Sequence, residues 1–115
     1  MTDAPAARKL LLTFSNPSDV SREAEYHEWY TQTHIPQLLE HVTGFKTARR
    51  YRVDNDQLPF KYLVIYEIEG ATADVLNEIP RRGAEGKLTR SSELQTDPSP
   101  LVVVADPVDE APFSE

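Results

Sequence analysis

Residues 62–68 (YLVIYEI) form the strongest predicted β-strand of the chain, because β-branched and aromatic side chains fill most of the stretch. Residues 45–53 (FKTARRYRV) form a second predicted strand that lies just before it in the sequence. The short connection between them contains the turn-forming stretch 54–59 (DNDQLP). Two consecutive strands joined in this way predict an antiparallel hairpin.

Two apolar runs of strand length complete the predicted sheet, residues 9–15 (KLLLTFS) and residues 101–105 (LVVVA). Helical segments lie on either side of the hairpin, so the predicted order is β-α-β-β-α-β. This order is typical of a ferredoxin-like α+β fold with a four-stranded antiparallel sheet. Leu and Val occupy both alternating faces of three strands, so we expect both faces of the sheet to be covered. A second copy of the sheet is the simplest cover, which predicts a homodimeric α+β barrel.

Proline and glycine residues set the predicted ends of the helices. Pro36 disfavours helical geometry at Ile35, so the first helix should break there. A short helical turn restarts at Pro36 and ends before Gly44. The last helix should cover residues 71–79 and stop at Pro80.

Length and composition indicate a single domain over residues 1–115, with a core at 9–106, an N-terminal tail at 1–8 and a C-terminal tail at 107–115. The formal charge of −7 disfavours nucleic acid and anionic membranes as partners. The chain has no cysteine and no apolar run of transmembrane length. Its first residues lack the apolar core of a signal peptide, so we expect a cytoplasmic protein.

The first helix has an unusual aromatic face within residues 26–36 (YHEWYTQTHIP). At about 100° per residue, one side of this helix collects five aromatic or polar side chains. An ordinary core-facing helix presents Leu, Ile and Val instead. The pattern indicates a helix that lines a pocket as well as a core, through Tyr26, Trp29, Tyr30, Thr33 and His34.

Four motifs give the chain a resemblance to a known family. They are WYxxxHIP at 29–36, GF followed by ARRY within 44–51, YLxxYEI at 62–68 and the segment from GKL to Asp97 at 86–97. With these motifs the chain resembles the EthD-like proteins of the dimeric α+β barrel superfamily over residues 9–106. The resemblance implies a pocket between helices and sheet, and a catalytic histidine at His34. The superfamily includes cofactor-free monooxygenases, isomerases, cyclases and decarboxylases, so fold alone does not fix the reaction.

The candidate acid or base is His34, since an imidazole can take or give a proton near neutral pH. Its alternative role is to bond the free carbonyl groups at the end of a helix. Tyr30 lies one turn earlier on the same face and can share a ligand with it. His27 follows Glu23 by four residues, so it either borders the ligand or forms an ion pair at the edge of the helix.

Strand residues supply the other candidates. Alternation places Arg49 and Tyr51 on one face of the second strand together with Phe45. An arginine there can anchor a carboxylate or enolate oxygen, whereas neighbouring Arg50 and Arg52 are expected to pair with acidic residues. On the third strand, Tyr62 and Tyr66 share a face, either as pocket-lining acids or as core residues.

A dedicated metal site is not predicted. His27 and His34 are seven residues apart, which is about 10 Å along a helix. Zinc–nitrogen bonds are only about 2 Å long, so the two rings cannot share one ion. A single axial histidine leaves haem as the alternative, but we expect no cofactor.

These features predict an enzyme without cofactor that acts on a small, flat, largely apolar metabolite, of aromatic or polyketide type. The expected chemistry is proton transfer of the isomerase, cyclase or lyase type, with His34 as general acid or base. Tyr30, Tyr66 or Arg49 would polarise an oxygen, and Tyr26, Trp29, Tyr51, Tyr62 and His27 would contact the ligand. The alternatives are a cofactor-independent monooxygenase and a non-catalytic protein that binds a hydrophobic metabolite.

Overall fold

The computed structural model of this protein describes residues 8–114. Four strands and three α-helices follow one another in the order β-α-α-β-β-α-β. The strands are β1 (Lys9–Ser15), β2 (Phe45–Arg52), β3 (Tyr62–Ile68) and β4 (Leu101–Ala105). The helices are α1 (Glu23–Trp29), α2 (Ile35–His41) and α3 (Thr72–Ala84), with a 3-10 turn at Val20–Arg22 and a π-helical turn at Tyr30–His34.

The sheet has the strand order β2-β3-β1-β4, and every neighbouring pair is antiparallel. The two helical units, α1 with α2 and then α3, alternate with the strands as the sequence predicts. This arrangement is an α+β fold of ferredoxin-like topology. The four strands begin and end within one residue of their predicted bounds. Strands β1, β3 and β4 are short apolar runs, whereas β2 has four basic residues and starts directly after Gly44.

A β-bulge near the start of β2 changes which side chains face the helices. The register of β2 against β3 shifts between Phe45 and Thr47, and a bulge adds one residue without a partner. After the shift, Phe45 lies on the helix-facing side together with Ala48 and Arg50. The predicted shared face of Phe45 and Arg49 is therefore wrong, because simple alternation does not survive a bulge.

The helical run from α1 to α2 does not break at Pro36. Ile35 keeps α-helical dihedral angles of −63° and −47°, although a proline follows it. The amide of Ile35 bonds the carbonyl of Tyr30, five residues earlier, which is the hydrogen-bond spacing of a π-helix. Pro36 lies in the first turn of α2, where its missing amide donor is tolerated. The predicted break at Ile35 is therefore replaced by a π-helical turn.

Helix α3 also continues past its predicted end. It runs through Pro80 to Ala84, although a proline inside a helix removes one backbone hydrogen bond. Pro80 is exposed to solvent, and Arg82 pairs with Glu78 at 2.9 Å and with Glu85 at 2.8 Å. These ion pairs link side chains one turn apart on both sides of the arginine, which favours the helical form. The predicted stop at Pro80 is wrong.

The core lies between the helices and one face of the sheet. Its buried members come from every helical unit and from three strands: Leu11, Tyr26, Tyr30, Leu38, Val42, Phe45, Val64, Tyr66, Ile68 and Val75. The opposite face of the sheet carries apolar side chains, and no helix of residues 8–114 packs over them. Leu101 and Val103 on this uncovered face are 48% and 40% exposed. In the described range 8–114, no helix is both long enough and apolar enough to cross a membrane.

Candidate functional site

The aromatic face of α1 and the π-helical turn packs against β1 through a buried group of hydroxyls. The hydroxyls of Tyr26 and Tyr30 lie 2.6 Å and 3.0 Å from the Oγ atom of Ser15. All three residues are at most 1% exposed. Burial raises the pKa of Tyr26 to about 12 and also raises the pKa of Tyr30. Ser15 thus satisfies the polar ends of both tyrosines inside the core.

His34 stacks on the indole of Trp29 at the end of the same face. The ring centroids are 4.4 Å apart with an angle of 18° between the planes. Tyr30 meets His34 edge-on at 5.3 Å. Within the described structure, the buried Nδ1 of His34 and the buried Nε1 of Trp29 have no hydrogen-bond partner. Unpartnered buried polar atoms are rare in folded proteins, and a catalytic role or a bound water or ion is among the reasons for them.

Burial of His34 lowers its pKa to about 4, since desolvation disfavours the charged imidazolium. The ring is therefore neutral at pH 7. A neutral imidazole can accept a proton at its free nitrogen, whereas its remaining N–H is too weakly acidic to act as a general acid; the lowered pKa also makes the ring a weaker base than a free imidazole. Of the two roles predicted for His34, the environment favours the general base.

The depressed pKa of His34 also predicts how stability depends on pH. The unfolded chain takes up a proton near pH 6.5, whereas the folded protein resists it down to about pH 4. Acid therefore favours the unfolded state, and the free energy of unfolding should fall by roughly 2–3 kcal/mol between these pH values. Urea unfolding at several pH values measures this slope. The His34→Asn variant should lose this part of the pH dependence. If the free energy of unfolding of the variant depends on pH as steeply as that of the wild-type protein, the slope does not come from His34.

A second group of side chains surrounds Arg50 on the helix-facing side of β2. Its Nη2 lies 2.9 Å from Nδ1 of His27. The centre of the guanidinium is 4.9 Å, 5.7 Å and 6.0 Å from the ring centroids of Tyr30, Tyr26 and Tyr62. These distances are typical of cation–π contacts. Sequence reasoning assigned Arg50 to ion pairs with acidic residues, but the structure places it among aromatic rings instead.

The contact with Arg50 defines the protonation of His27. An arginine only donates hydrogen bonds, so Nδ1 of His27 accepts and the proton of the neutral ring is on Nε2. Burial, followed by the positive charge of Arg50, lowers the pKa of His27. The predicted partner Glu23 has Lys61 within 3.8 Å. His27 therefore belongs to the Arg50 group at the edge of the helix.

The two tyrosines of β3 occupy different depths on the helix-facing side. Tyr66 is fully buried and contacts Phe45 at 5.0 Å between ring centroids. Its burial raises its pKa above the usual value. Tyr62 is half-buried and meets the ring of His27 edge-on at 4.7 Å. Tyr66 is a core residue, while Tyr62 forms one wall of the Arg50 group.

Arg49 and Tyr51 lie away from the other predicted site residues. Both side chains are exposed on the uncovered face of the sheet. They contact each other, with the guanidinium carbon of Arg49 5.9 Å from the ring centroid of Tyr51. The bulge in β2 explains the outcome, since it brings Arg50 rather than Arg49 towards the helices.

Sequence reasoning missed two residues of this site, Ser15 and Arg50. Strand alternation does put Ser15 on the same face of β1 as buried Leu11, so a hydroxyl inside the core was detectable in principle. Arg50 gave no such signal. The Arg50 side chain points towards the helices because of the bulge, and the bulge depends on the pairing of β2 with β3.

The uncovered face of the sheet borders a cavity of about 410 Å³. The C-terminal segment 106–113 forms one wall, and Leu10, Glu67 and Ala105 form another. This cavity lies on the side of the sheet opposite to His34. Within residues 8–114, no group of three or more His, Cys, Asp or Glu side chains could hold a metal ion.

Comparison with known proteins gives no further assignment: no protein-family model, no curated protein and no solved structure matches this chain. The likeness to EthD-like proteins stays a resemblance of short motifs. The candidate site is therefore defined from the geometry of this structure and not from similarity to a known protein. Its two centres are the unpartnered Trp29–His34 stack and the Arg50 group, and both border Tyr30.

Proposed function

We propose that this protein is a small enzyme without cofactor that moves a proton on a flat, largely apolar metabolite, with His34 as the general base. One observation carries the proposal. The buried Nδ1 of a neutral His34 and the indole N–H of Trp29, on stacked rings, both lack a partner among the described residues. The two nitrogens lie in or beside a π-helical turn, a feature that is frequent at functional sites.

The chemistry follows from the character of the two nitrogens. Trp29 can only donate a hydrogen bond, so it suits a carbonyl oxygen of the ligand. The neutral Nδ1 of His34 can accept a proton from the adjacent carbon. The C–H bond breaks, its electron pair forms an enolate, and return of the proton to another position completes an isomerisation. Both nitrogens are covered by protein, so the Trp29–His34 stack must separate for the ligand to enter.

Hydrogen–deuterium exchange on a simple ketone tests the proposal. The probe is 2-tetralone, a flat aromatic ketone with an acidic carbon beside its carbonyl group. In D₂O at pH 7, the protein should accelerate exchange at that carbon above the buffer rate, as followed by proton NMR. Binding without any acceleration would instead support the non-catalytic binding protein. Oxygen consumption in step with loss of the probe would support the monooxygenase.

Assembly into a homodimeric α+β barrel is part of the proposal. The apolar uncovered face, with Leu101 and Val103 about half exposed, is the surface that a second copy would bury. Light scattering should then give a mass of about 26 kDa, twice the 13.0 kDa of the chain. Val103→Lys should cause insolubility, because a lysine would lie unpaired against apolar surface. A monodisperse monomer at micromolar concentration would contradict the barrel.

A cytoplasmic location also belongs to this proposal.

A further inference from the structure

Arg50 is a half-buried cation without a carboxylate partner in the described part of the chain. Its burial sets it apart from the other arginines without a carboxylate partner in residues 8–114, since Arg49, Arg52, Arg81 and Arg90 are all exposed. The half-buried Arg82 has a glutamate oxygen at 2.8 Å. The Nη2 of Arg50 instead donates to the neutral His27, the Tyr26 hydroxyl lies close enough to act as a second partner, and the buried Nε–H has no acceptor among residues 8–114.

The aromatic rings around Arg50 hold the cation in place, and no carboxylate among residues 8–114 forms an ion pair with it. Glu23 lies near His27 and Tyr62, and its ion-pair partner is Lys61, at 3.8 Å. The faces of Tyr26, Tyr30 and Tyr62 attract a guanidinium through their electron-rich rings. The Nε–H of Arg50 is left without an acceptor among the described residues. Such a preorganised, uncompensated guanidinium is the preferred protein group for binding a carboxylate or a related oxygen anion.

We propose that Arg50, with His27 and Tyr62 beside it, binds an anionic oxygen group of the ligand, a carboxylate or an enolate. For the identity of that ligand, the inference rests on the function proposed above. The three side chains are half-buried, so the site reaches the surface at the edge of α1. The substrate would then be an aromatic or polyketide-like acid rather than a neutral hydrocarbon.

Tyr30 connects this anion site to the proposed base. Its ring centroid is 4.9 Å from the guanidinium carbon of Arg50 and 5.3 Å from the ring of His34. A flat ligand that contacts both centres would have to lie along the buried ring of Tyr30. When His34 removes a proton from carbon, negative charge grows on the conjugated oxygen. A fixed cation near that oxygen stabilises the charge in the transition state.

The test compares two probes of equal shape that differ in charge, 2-naphthoate and 2-naphthamide. Trp29 is the one tryptophan of the chain and packs on Tyr30 at 4.9 Å between ring centroids. Its indole N–H signal in proton–nitrogen NMR therefore reports on the side of Tyr30 next to the anion site, and the signals of Arg50 and its neighbours in β2 report on the anion site itself. The wild-type protein should bind 2-naphthoate at least tenfold more tightly than 2-naphthamide. Arg50→Gln should reduce that preference to less than twofold, whereas Arg50→Lys should keep part of it.

Arg49→Gln is the matched control, because it removes the same charge from the opposite face of the same strand. Because Arg49 is not part of the anion site, Arg49→Gln should keep the full preference for 2-naphthoate. The two variants change the net charge of the protein equally, so any difference between them comes from the position of the charge. Equal affinities of the wild-type protein for both probes, or no binding of either, would overturn the inference. A preference that survives in Arg50→Gln would overturn it as well. The readout is equilibrium affinity, so it is independent of any failure to exchange 2-tetralone.

Discussion

Replacing His34 with asparagine should slow the exchange of 2-tetralone by about 10²- to 10⁴-fold, the usual contribution of a general base. Asparagine offers a carbonyl oxygen in the region of Nδ1, but an amide cannot accept a proton at pH 7. The affinity for 2-naphthoate should change much less, because the anion contact belongs to Arg50. Proton NMR of the exchange and of the Trp29 indole signal measures both quantities on the same samples.

His41→Asn provides the control for this prediction. His41 is a partly exposed residue in the last turn of α2, 3.6 Å from Glu40, and it is not part of the aromatic face. Exchange by this variant should stay within about twofold of the wild-type rate. If His34→Asn keeps a comparable rate, another group is the base. Tyr30 and Tyr66 are poor replacements, because burial raises the pKa of both.

The sheet was predictable because its signals are local. Strands β1, β3 and β4 are apolar or β-branched runs with Pro, Gly, Asn or Asp within two residues of their ends, and such runs define extended segments without reference to the rest of the chain. The aromatic face of the first helix was predictable for the same reason. Helical periodicity alone places Tyr26 and Tyr30 on one side, and both are buried in the structure.

The orientation of the arginines was not predictable from local pattern. A single extra residue between Phe45 and Thr47 reverses the alternation of everything after it in β2. Arg49 and Arg50 exchange their expected roles for this reason. The bulge arises in the pairing of β2 with β3 and has no distinct sequence signature here.

The two proline errors share another physical cause. Proline prevents one backbone hydrogen bond, and the sequence does not show whether the structure can do without it. At Pro36 the preceding turn widens to π-helical spacing, and at Pro80 the residue is exposed in a helix linked by ion pairs of Arg82. In both places tertiary context overrides a local preference. The first of these adjustments is also what holds His34 beside Trp29.

Gly44→Ala should destabilise the fold by about 3–5 kcal/mol, a large fraction of the total stability of an ordinary domain. Gly44 has a φ of +104°, which L-residues other than glycine adopt at a cost of about 1–2 kcal/mol. An added Cβ would also lie 2.6 Å from the carbonyl oxygen of Glu69 and 2.8 Å from Cγ2 of Val75. The backbone oxygen cannot move freely, because the Glu69 amide bonds the Gly44 carbonyl at 2.8 Å. Thermal and urea unfolding measure the loss.

Gly70→Ala separates the two causes, because it has the same strain without the clash. Its φ is +106°, and an added Cβ would meet only Cγ2 of Val75, at an ordinary 3.6 Å. This variant should lose about 1–2 kcal/mol, the cost of the backbone conformation alone. The difference between the two variants therefore measures the close approach of the α2–β2 turn to the end of β3. Equal losses would contradict the 2.6 Å contact between an added Cβ at residue 44 and the Glu69 oxygen. Glycine would then be required at this position only for its positive φ.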